Sequence, residues 1–537
     1  MKLSWSNKFD WPCIIAASSI SVTVYQHRHQ LIPNRGCKLT SLRYKLDGNP
    51  IRNIKKRVSI FSLTTLVLAL QFVQIGVHST GNNAVDLAQV LAGYESLEPW
   101  HDIEPDAYLS PTEFIRSRGF DVEFHRIVTP DGYVLSMNRI VNPKIRKRDR
   151  DLLRPVLLQH GLLTSSMVFM TASDRHRDRP AAPTRPLRHR LRRLLPPLVR
   201  QDRGSWRFWA DVALNTLTTR NGYRQLDDRT YVTDSLAFML ANQNYDVWMP
   251  NSRGTRYSLN HTHYDHRHDH RYWEYSFHEH ALFDLPSCIE HVLTQTGHSS
   301  LAYVGHSQGN MMMFILQSLR PEYADKIRPF IAVAPIAFIP DLYFGLVRPL
   351  ISTLADTKQL DSLLKGQVFN QGPLGQLMLD LLCRPRYTPP VCDFVLLLTL
   401  GDALKRANRT QTAMLVHHIP DSTSVHNLLH FAQLVSSGRF EAFDYGPQQN
   451  LLRYGTKFPT RYPIENIVSH DIALLWGARD PLATPKNVAL TRSHLTVPLM
   501  DDYLAPDLAW GHSDFFYARG AGKLINLHIL SLLDRYN

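Results

Sequence analysis

Leu301-Ala302-Tyr303-Val304-Gly305-His306-Ser307-Gln308-Gly309-Asn310 decides how the rest of this 537-residue chain is read. A short apolar run ends in Gly305-x-Ser307-x-Gly309, and a helical pattern follows through Met311, Met312, Met313, Phe314, Ile315 and Leu316. Strand, tight turn and helix is the setting in which G-x-S-x-G exposes a serine Oγ at the end of a sheet. Cβ atoms at 305 and 309 would crowd the strand and the helix, so glycine suits both places. A structural turn is the plainer reading of five residues, and the flanks favour the nucleophile. The rest of the chain then has to supply a base, an acid and an oxyanion hole.

The net charge of +13 invites a nucleic-acid reading, and its distribution argues against one. Residues 1–57 carry eleven Lys or Arg against two Asp, and residues 171–230 carry fourteen Arg against six Asp. What remains is mildly acidic, without a fold-wide basic footprint for DNA or RNA. The hydrophobic fraction of 44% is ordinary for a globular protein with a large core. Of the five cysteines, only Cys383 and Cys392 lie close enough to imply a local bridge, which would fit a secretory route. Two reduced thiols are the alternative. Cys288 reads as a buried free thiol.

Residues 1–57 form an atypical extension without periodicity. Lys55-Lys56-Arg57 precedes an apolar run, Val58 to Val77, and small residues follow at 79–81. These are the parts of a cleavable signal over 58–80, placed unusually late. A membrane anchor through 58–77 is the competing reading. The chain becomes regular from Pro105, within a domain taken as 95–537. Ser110-Pro111-Thr112-Glu113 starts a helix. Val122–Val128 and Tyr133–Met137 flank the Pro130-Asp131-Gly132 turn as a hairpin. Pro155–Gln159 is a buried strand ending in His160-Gly161-Leu162-Leu163.

Residues 171–230 break the pattern, with ten Arg, five Pro and no Lys between Arg175 and Arg203. They read as an Arg/Pro-rich insert, either a disordered or cap insertion or, the favoured reading, translated non-coding sequence, with a polybasic lipid-surface loop as the functional alternative. Further on, 234–240 is helical, Tyr245–Met249 a strand, and 250–254 a turn. Seven histidines between Asn260 and His280 read as a solvent-exposed loop rather than a metal site, for lack of accompanying Cys or dense carboxylates. Residues 281–297 read as one helix leading into the elbow strand, and Phe330–Pro335 is another core strand. Residues 340–440 are apolar, proline-punctuated and helical, as a cap would be. Ile472–Gly477 is a late strand before Asp480, and His512 follows some thirty residues later. Such alternation implies an α/β fold, a mostly parallel central sheet flanked by helices under a helical cap.

A serine hydroxyl needs a base within hydrogen-bond reach, and the base needs a carboxylate to orient it. In chain order Ser, Asp, His, the candidates are Ser307 as nucleophile, Asp480 and His512. Asp471, Asp501 and Asp514 are rivals to Asp480. The oxyanion donors would be the backbone N–H groups of Gln308, after the nucleophile, and Leu162, after His160-Gly161. The sequons at Asn260 and Asn408 suit a secreted glycoprotein. No metal and no cofactor is called for.

These residues together resemble a family. Leu158-Gln159-His160-Gly161-Leu162-Leu163, Tyr245-Asp246-Val247-Trp248, Asn251-Ser252-Arg253-Gly254, Asp284-Leu285-Pro286 and Gly305-His306-Ser307-Gln308-Gly309 are similar to the acid lipases, lysosomal and gastric, within the α/β-hydrolase fold. The 408–446 region, the Asp480 turn and His512-Ser513-Asp514-Phe515 resemble it too. The likeness covers about 95–170 and 231–537. It implies hydrolysis of triacylglycerol or cholesteryl esters through an acyl-enzyme, and a helical cap with a lid held by a Cys383–Cys392 disulfide. It further implies action at a lipid–water interface, no cofactor, no obligate protein partner, and a secreted or lysosomal location. Three departures stand out. Asn310 replaces a small hydroxyl residue, and no Trp occurs in Ser166-Met167-Val168-Phe169; both are expected to tune the pocket. The 171–230 insert follows the oxyanion loop directly. A non-catalytic lipid-binding or storage protein, or a chain inactivated by the insert, is the competing reading.

Overall fold

Runs without a polar face build the middle of the molecule. A computed structural model describes residues 105–174, 177–181, 232–341, 365–368 and 417–536. Helix α1 (Pro111–Ser117) opens it. Ser110 and Glu113 bond each other's backbone N–H as a capping box, with Pro111 in the first turn. β1 (Asp121–Val128) and β2 (Tyr133–Val141) form the expected hairpin, Val128 facing Val134 across the turn. The chain continues through β3 (Arg154–Gln159), α2 (Leu236–Asn242), β4 (Tyr245–Asn251), β5 (Asn260–His261), α3 (Leu285–Thr296), β6 (Leu301–His306), α4 (Gln308–Leu319) and β7 (Ile327–Val333). A short pair, β8 (Gln367–Val368) and β9 (Thr423–Ser424), precedes α5 (Val425–Ser437) and α6 (Pro447–Tyr454). β10 (Ile472–Trp476), α7 (Pro485–His494), β11 (Asp501–Leu504) and α8 (Leu527–Leu533) close it.

The strands join in one nine-stranded sheet, in the order β1-β2-β4-β3-β6-β7-β10-β11, with β5 beside β2. From β4 to β11 every pairing is parallel. Parallel strands covered by helices on both faces have no solvated side, which is why β4 and β6 are buried at every residue. This is the mostly parallel sheet expected from the sequence. All described residues fall in the unit Ser79–Asn537. Among them no helix is long and apolar enough to cross a membrane. The apolar run 58–77, Cys383, Cys392, Asn408 and most of the 340–440 cap lie outside the described residues.

The structure corrects several expectations. β4 runs through Pro250 and Asn251, where a turn was expected, because Asn251 is buried and its side chain bonds both Ser136 Oγ and Ser166 N–H. Residues 281–297 are not one regular helix. Pro286 has no N–H to donate to the turn before it, and His280–Asp284 widens into a π-turn ahead of α3. The supposed insert starts late. Thr171, Ala172, Ser173 and Asp178 are buried, Ser173 Oγ accepts from Arg118 Nε, and Ala181 N–H donates to Asn242 Oδ1. Residues 171–174 and 177–181 therefore belong to the packed body, and 182–231 lie outside the described residues. The 340–440 region also holds a strand pair, β8 on β9, where only helix was expected.

Candidate active site

The parallel strands all end on one edge of the sheet, and the candidate residues gather there. Ser307 follows β6 directly, Asp480 lies just past β10, His512 follows β11, and His160-Gly161-Leu162 follows β3. Ser307 sits at φ 54°, ψ −118°, a left-handed conformation costing on the order of 1–3 kcal/mol for a residue with a Cβ. Its surroundings enforce it. Ser307 N–H donates to Val333 O at the end of β7, and Tyr303 Oη donates to Gly309 O at 2.6 Å. A Cβ on Gly305 would come within 2.6 Å of Asn310 Oδ1, and one on Gly309 within 2.7 Å of Gln159 O. Both glycines are therefore steric requirements of the elbow, as the sequence implied.

His512 Nε2 lies 2.8 Å from Ser307 Oγ, and His512 Nδ1 lies 2.8 and 3.0 Å from the Asp480 oxygens. The carboxylate can only accept, so Nδ1 carries the proton and Nε2 accepts from the serine hydroxyl. Asp480 is fully buried and also accepts from Leu482 and Ala483 N–H. The rivals are engaged elsewhere: Asp471 takes a bond from Tyr536, Asp501 from His528, and Asp514 from Gly511 N–H.

Histidine 160 shapes the adjoining loop. Its Nε2 accepts from Ser252 N–H and its Nδ1 donates to Gly161 O at 2.9 Å. The bond from Ser252 needs a neutral ring, and burial pushes its pKa down to about 4. Gly161 passes so close to the elbow that a Cβ there would stand 2.9 Å from Ser307 Cβ. The Gln308 N–H occupies the first turn of α4, where no intrahelical acceptor exists. Leu162 and Gln308 line one small cavity together with His280, Thr423 and Asn427.

Three buried side chains that sequence reasoning missed fix this corner. Gln308 Nε2 donates to His280 Nδ1, and Asn427 Nδ2 donates to Gln308 Oε1, each at 2.9 Å. Asn427 belongs to α5, capped by Ser424, so the 417–437 segment is tied directly to the residue after Ser307. His306 Nε2 donates to His512 O at 3.1 Å, and burial first, then the neighbouring His512, pushes its pKa down to about 3. A neutral His306 places no cation beside the His512 ring. No local sequence signal marks Asn427 or His280, because each acts through a partner more than 25 positions away.

The His-rich stretch is not uniformly exposed as expected. His280 is buried, His278 bonds Tyr462 Oη, and His261 bonds Asp131 O, while His263 and His268 face solvent. Among the described residues no group of His, Cys, Asp or Glu is placed to hold a metal ion. Asn260 is exposed, and Cys288 is a buried free thiol. Asn310 does not face a pocket. It is fully buried and donates to Val333 O at 2.6 Å, bracing the elbow from behind. Behind the His160-Gly161-Leu162 loop, Arg253 is buried against Asp284 (Nη2–Oδ1 2.6 Å) and Asp131 (Nη2–Oδ1 3.0 Å), which holds the Gly132 turn onto the end of β4.

Two family descriptions match the chain: a partial alpha/beta-hydrolase lipase region over residues 111–173 and the alpha/beta hydrolase fold over 231–366. The two matched stretches are separated by 174–230. The gastric triacylglycerol lipase of Rattus norvegicus is 30% identical over 443 residues, covering 80% of this chain and 92% of that protein. Lipase 1 of Drosophila melanogaster is 29% identical over 435 residues, covering 81% and 82%. A putative lysosomal acid lipase/cholesteryl ester hydrolase of Crotalus adamanteus is 29% identical over 434 residues, covering 81% and 92%.

Proposed function

The chain belongs to the acid lipase family of α/β-hydrolases and is a carboxylic ester hydrolase, and on that footing we propose that it hydrolyses neutral-lipid esters, triacylglycerols or cholesteryl esters, through a serine acyl-enzyme. The observation that carries this reading is the unbroken hydrogen-bond line from Ser307 Oγ through His512 to buried Asp480.

In this reading His512 Nε2 takes the Ser307 proton as Oγ adds to the ester carbonyl. Asp480 holds the Nδ1–H tautomer and offsets the imidazolium charge. The Gln308 and Leu162 N–H groups receive the oxyanion, each contributing a few kcal/mol to the transition state. Collapse expels the alcohol, which takes the proton back from His512. Water then attacks the acyl-enzyme by the same route and releases the fatty acid. No step calls for a metal or cofactor. A secreted or lysosomal route, glycosylation at Asn260 and Asn408, and a Cys383–Cys392 bridge complete the proposal. The test is turnover of emulsified triolein and of cholesteryl oleate, with Ser307→Ala as control and a serine-directed phosphonate as label. Near-wild-type turnover by Ser307→Ala, or no labelling of the intact chain, would refute it.

A further inference from the structure

Helix α6 and the loop after it show an apolar face to solvent. Leu451 is 51% exposed, Leu452 78% and Phe458 74%. Three large apolar side chains in so short a segment are not scattered surface residues, and such patches mark docking sites. The segment is held firmly from beneath. Asn450 is fully buried, accepts from Tyr445 N–H and donates to Asp444 Oδ1. Tyr454 Oη donates to Phe443 O at 2.9 Å, and Thr456 Oγ1 donates to Phe458 O. Asn450 and Tyr454 are four residues apart and share the inner face of the helix, so Leu452 points away from it.

Cations sit beside the apolar residues, while the exposed carboxylate of Asp444 lies beneath the helix, bonded to Asn450. Residues 447–461 contain Arg453, Lys457 and Arg461 and no Asp or Glu. Arg461 is paired with Glu465, which leaves Arg453, stacked 4.2 Å over Tyr445, and Lys457 to face outward with the apolar residues. The patch also connects to the active site. Tyr454 meets Tyr445, Tyr445 meets His426 on α5, and the neighbouring Asn427 holds Gln308.

We propose that Leu451, Leu452 and Phe458, flanked by Arg453 and Lys457, dock the enzyme onto the surface of an anionic lipid aggregate. Apolar side chains would enter the acyl boundary while the two cations meet acidic headgroups at its surface. Largely exposed apolar tips beside two outward-facing cations fit a lipid surface, which offers acyl chains and acidic headgroups at adjoining depths. The inference rests on the reading of the chain as a lipase of aggregated substrate.

The experiment measures sedimentation with vesicles of phosphatidylcholine alone and of phosphatidylcholine with phosphatidylserine. The full chain is used in a Ser307→Ala background, so binding is read without turnover. Leu452→Ser/Phe458→Ser is expected to lower partitioning onto the anionic vesicles by about tenfold or more. Arg453→Gln/Lys457→Gln is expected to lower it several-fold on anionic vesicles only, an effect that vanishes in high salt. With Ser307 intact, both variants should hydrolyse a soluble short-chain ester at the wild-type rate and emulsified triolein more slowly. Unchanged vesicle binding would overturn the proposal. So would an equal loss on soluble ester, or a shift from dimer to monomer on gel filtration with vesicle binding unaltered, which would assign the patch to a second copy. If the ester-hydrolase mechanism fails instead, soluble turnover is absent in the wild type while the vesicle results stand.

Discussion

His430 should make this protein lose stability as the solution is acidified. It lies on α5, fully buried, with its ring stacked 3.8 Å from Phe277. Nε2 lies 2.9 Å from Glu441 O and Nδ1 2.9 Å from Ser276 Oγ. The carbonyl only accepts, so Nε2 carries the proton, and Nδ1, facing Ser276 Oγ, is unprotonated in the neutral ring that burial favours. Burial pushes its pKa down to about 3, whereas an unfolded histidine titrates near ~6.5. Below that value the unfolded chain binds a proton that the native protein does not, so native stability falls as pH falls from about 6.5 towards 3. Between pH 7 and pH 5 this one ring should cost about 2 kcal/mol. His430→Gln keeps a donor for Glu441 O and an acceptor for Ser276 while removing the titration. At pH 7 it should be the less stable protein, by about 1–2 kcal/mol for the lost ring packing. At pH 5 that gap should close by about 2 kcal/mol, because every other titrating group is common to both proteins. Urea unfolding of the two proteins at both pH values measures it. A gap that does not change between pH 7 and pH 5 would refute the reasoning.

Two further outcomes follow from the site. Asp480→Asn should lower kcat on a soluble ester by about four orders of magnitude with little change in KM. Leu482 and Ala483 N–H would hold the amide oxygen at the Oδ1 place, turning the amide N–H towards His512 Nδ1 and reversing the tautomer; a loss below tenfold would contradict this geometry. Arg253→Met should destabilise the fold by about 3–5 kcal/mol, because it strips Asp284 of its buried counter-charge. Arg253→Met/Asp284→Leu should recover most of that in chemical denaturation, and a double variant as unstable as the single would remove the pair from the explanation.

Much of the site was legible because its signals are local. Gly305 and Gly309 flank Ser307 for steric reasons confined to one turn, and the close approaches of 2.6 and 2.7 Å are what the pattern implied. The choice of Asp480 over Asp471, Asp501 and Asp514 came from its place just past a core strand, and parallel strands bring their following turns to one edge. Apolar runs likewise marked β3, β4, β6, β7 and β10, since central parallel strands have no polar face.

Tertiary structure decided what depends on distant packing. Asn427 meets Gln308, 119 positions away, only because α5 lies across the elbow. Histidines 160, 280, 306 and 430 are spelled like any exposed histidine, and it is chiefly their burial that keeps them neutral. Asn310 could be read as a pocket residue until the helix turned it towards Val333 O. The start of the insert at 171 followed composition, yet Ser173 and Ala181 are held by Arg118 and Asn242 from other parts of the fold. Composition and period report what a residue prefers within its own turn or strand. Which surface it meets is set by how helices and sheet pack, and that information is shared among residues tens to hundreds of positions apart.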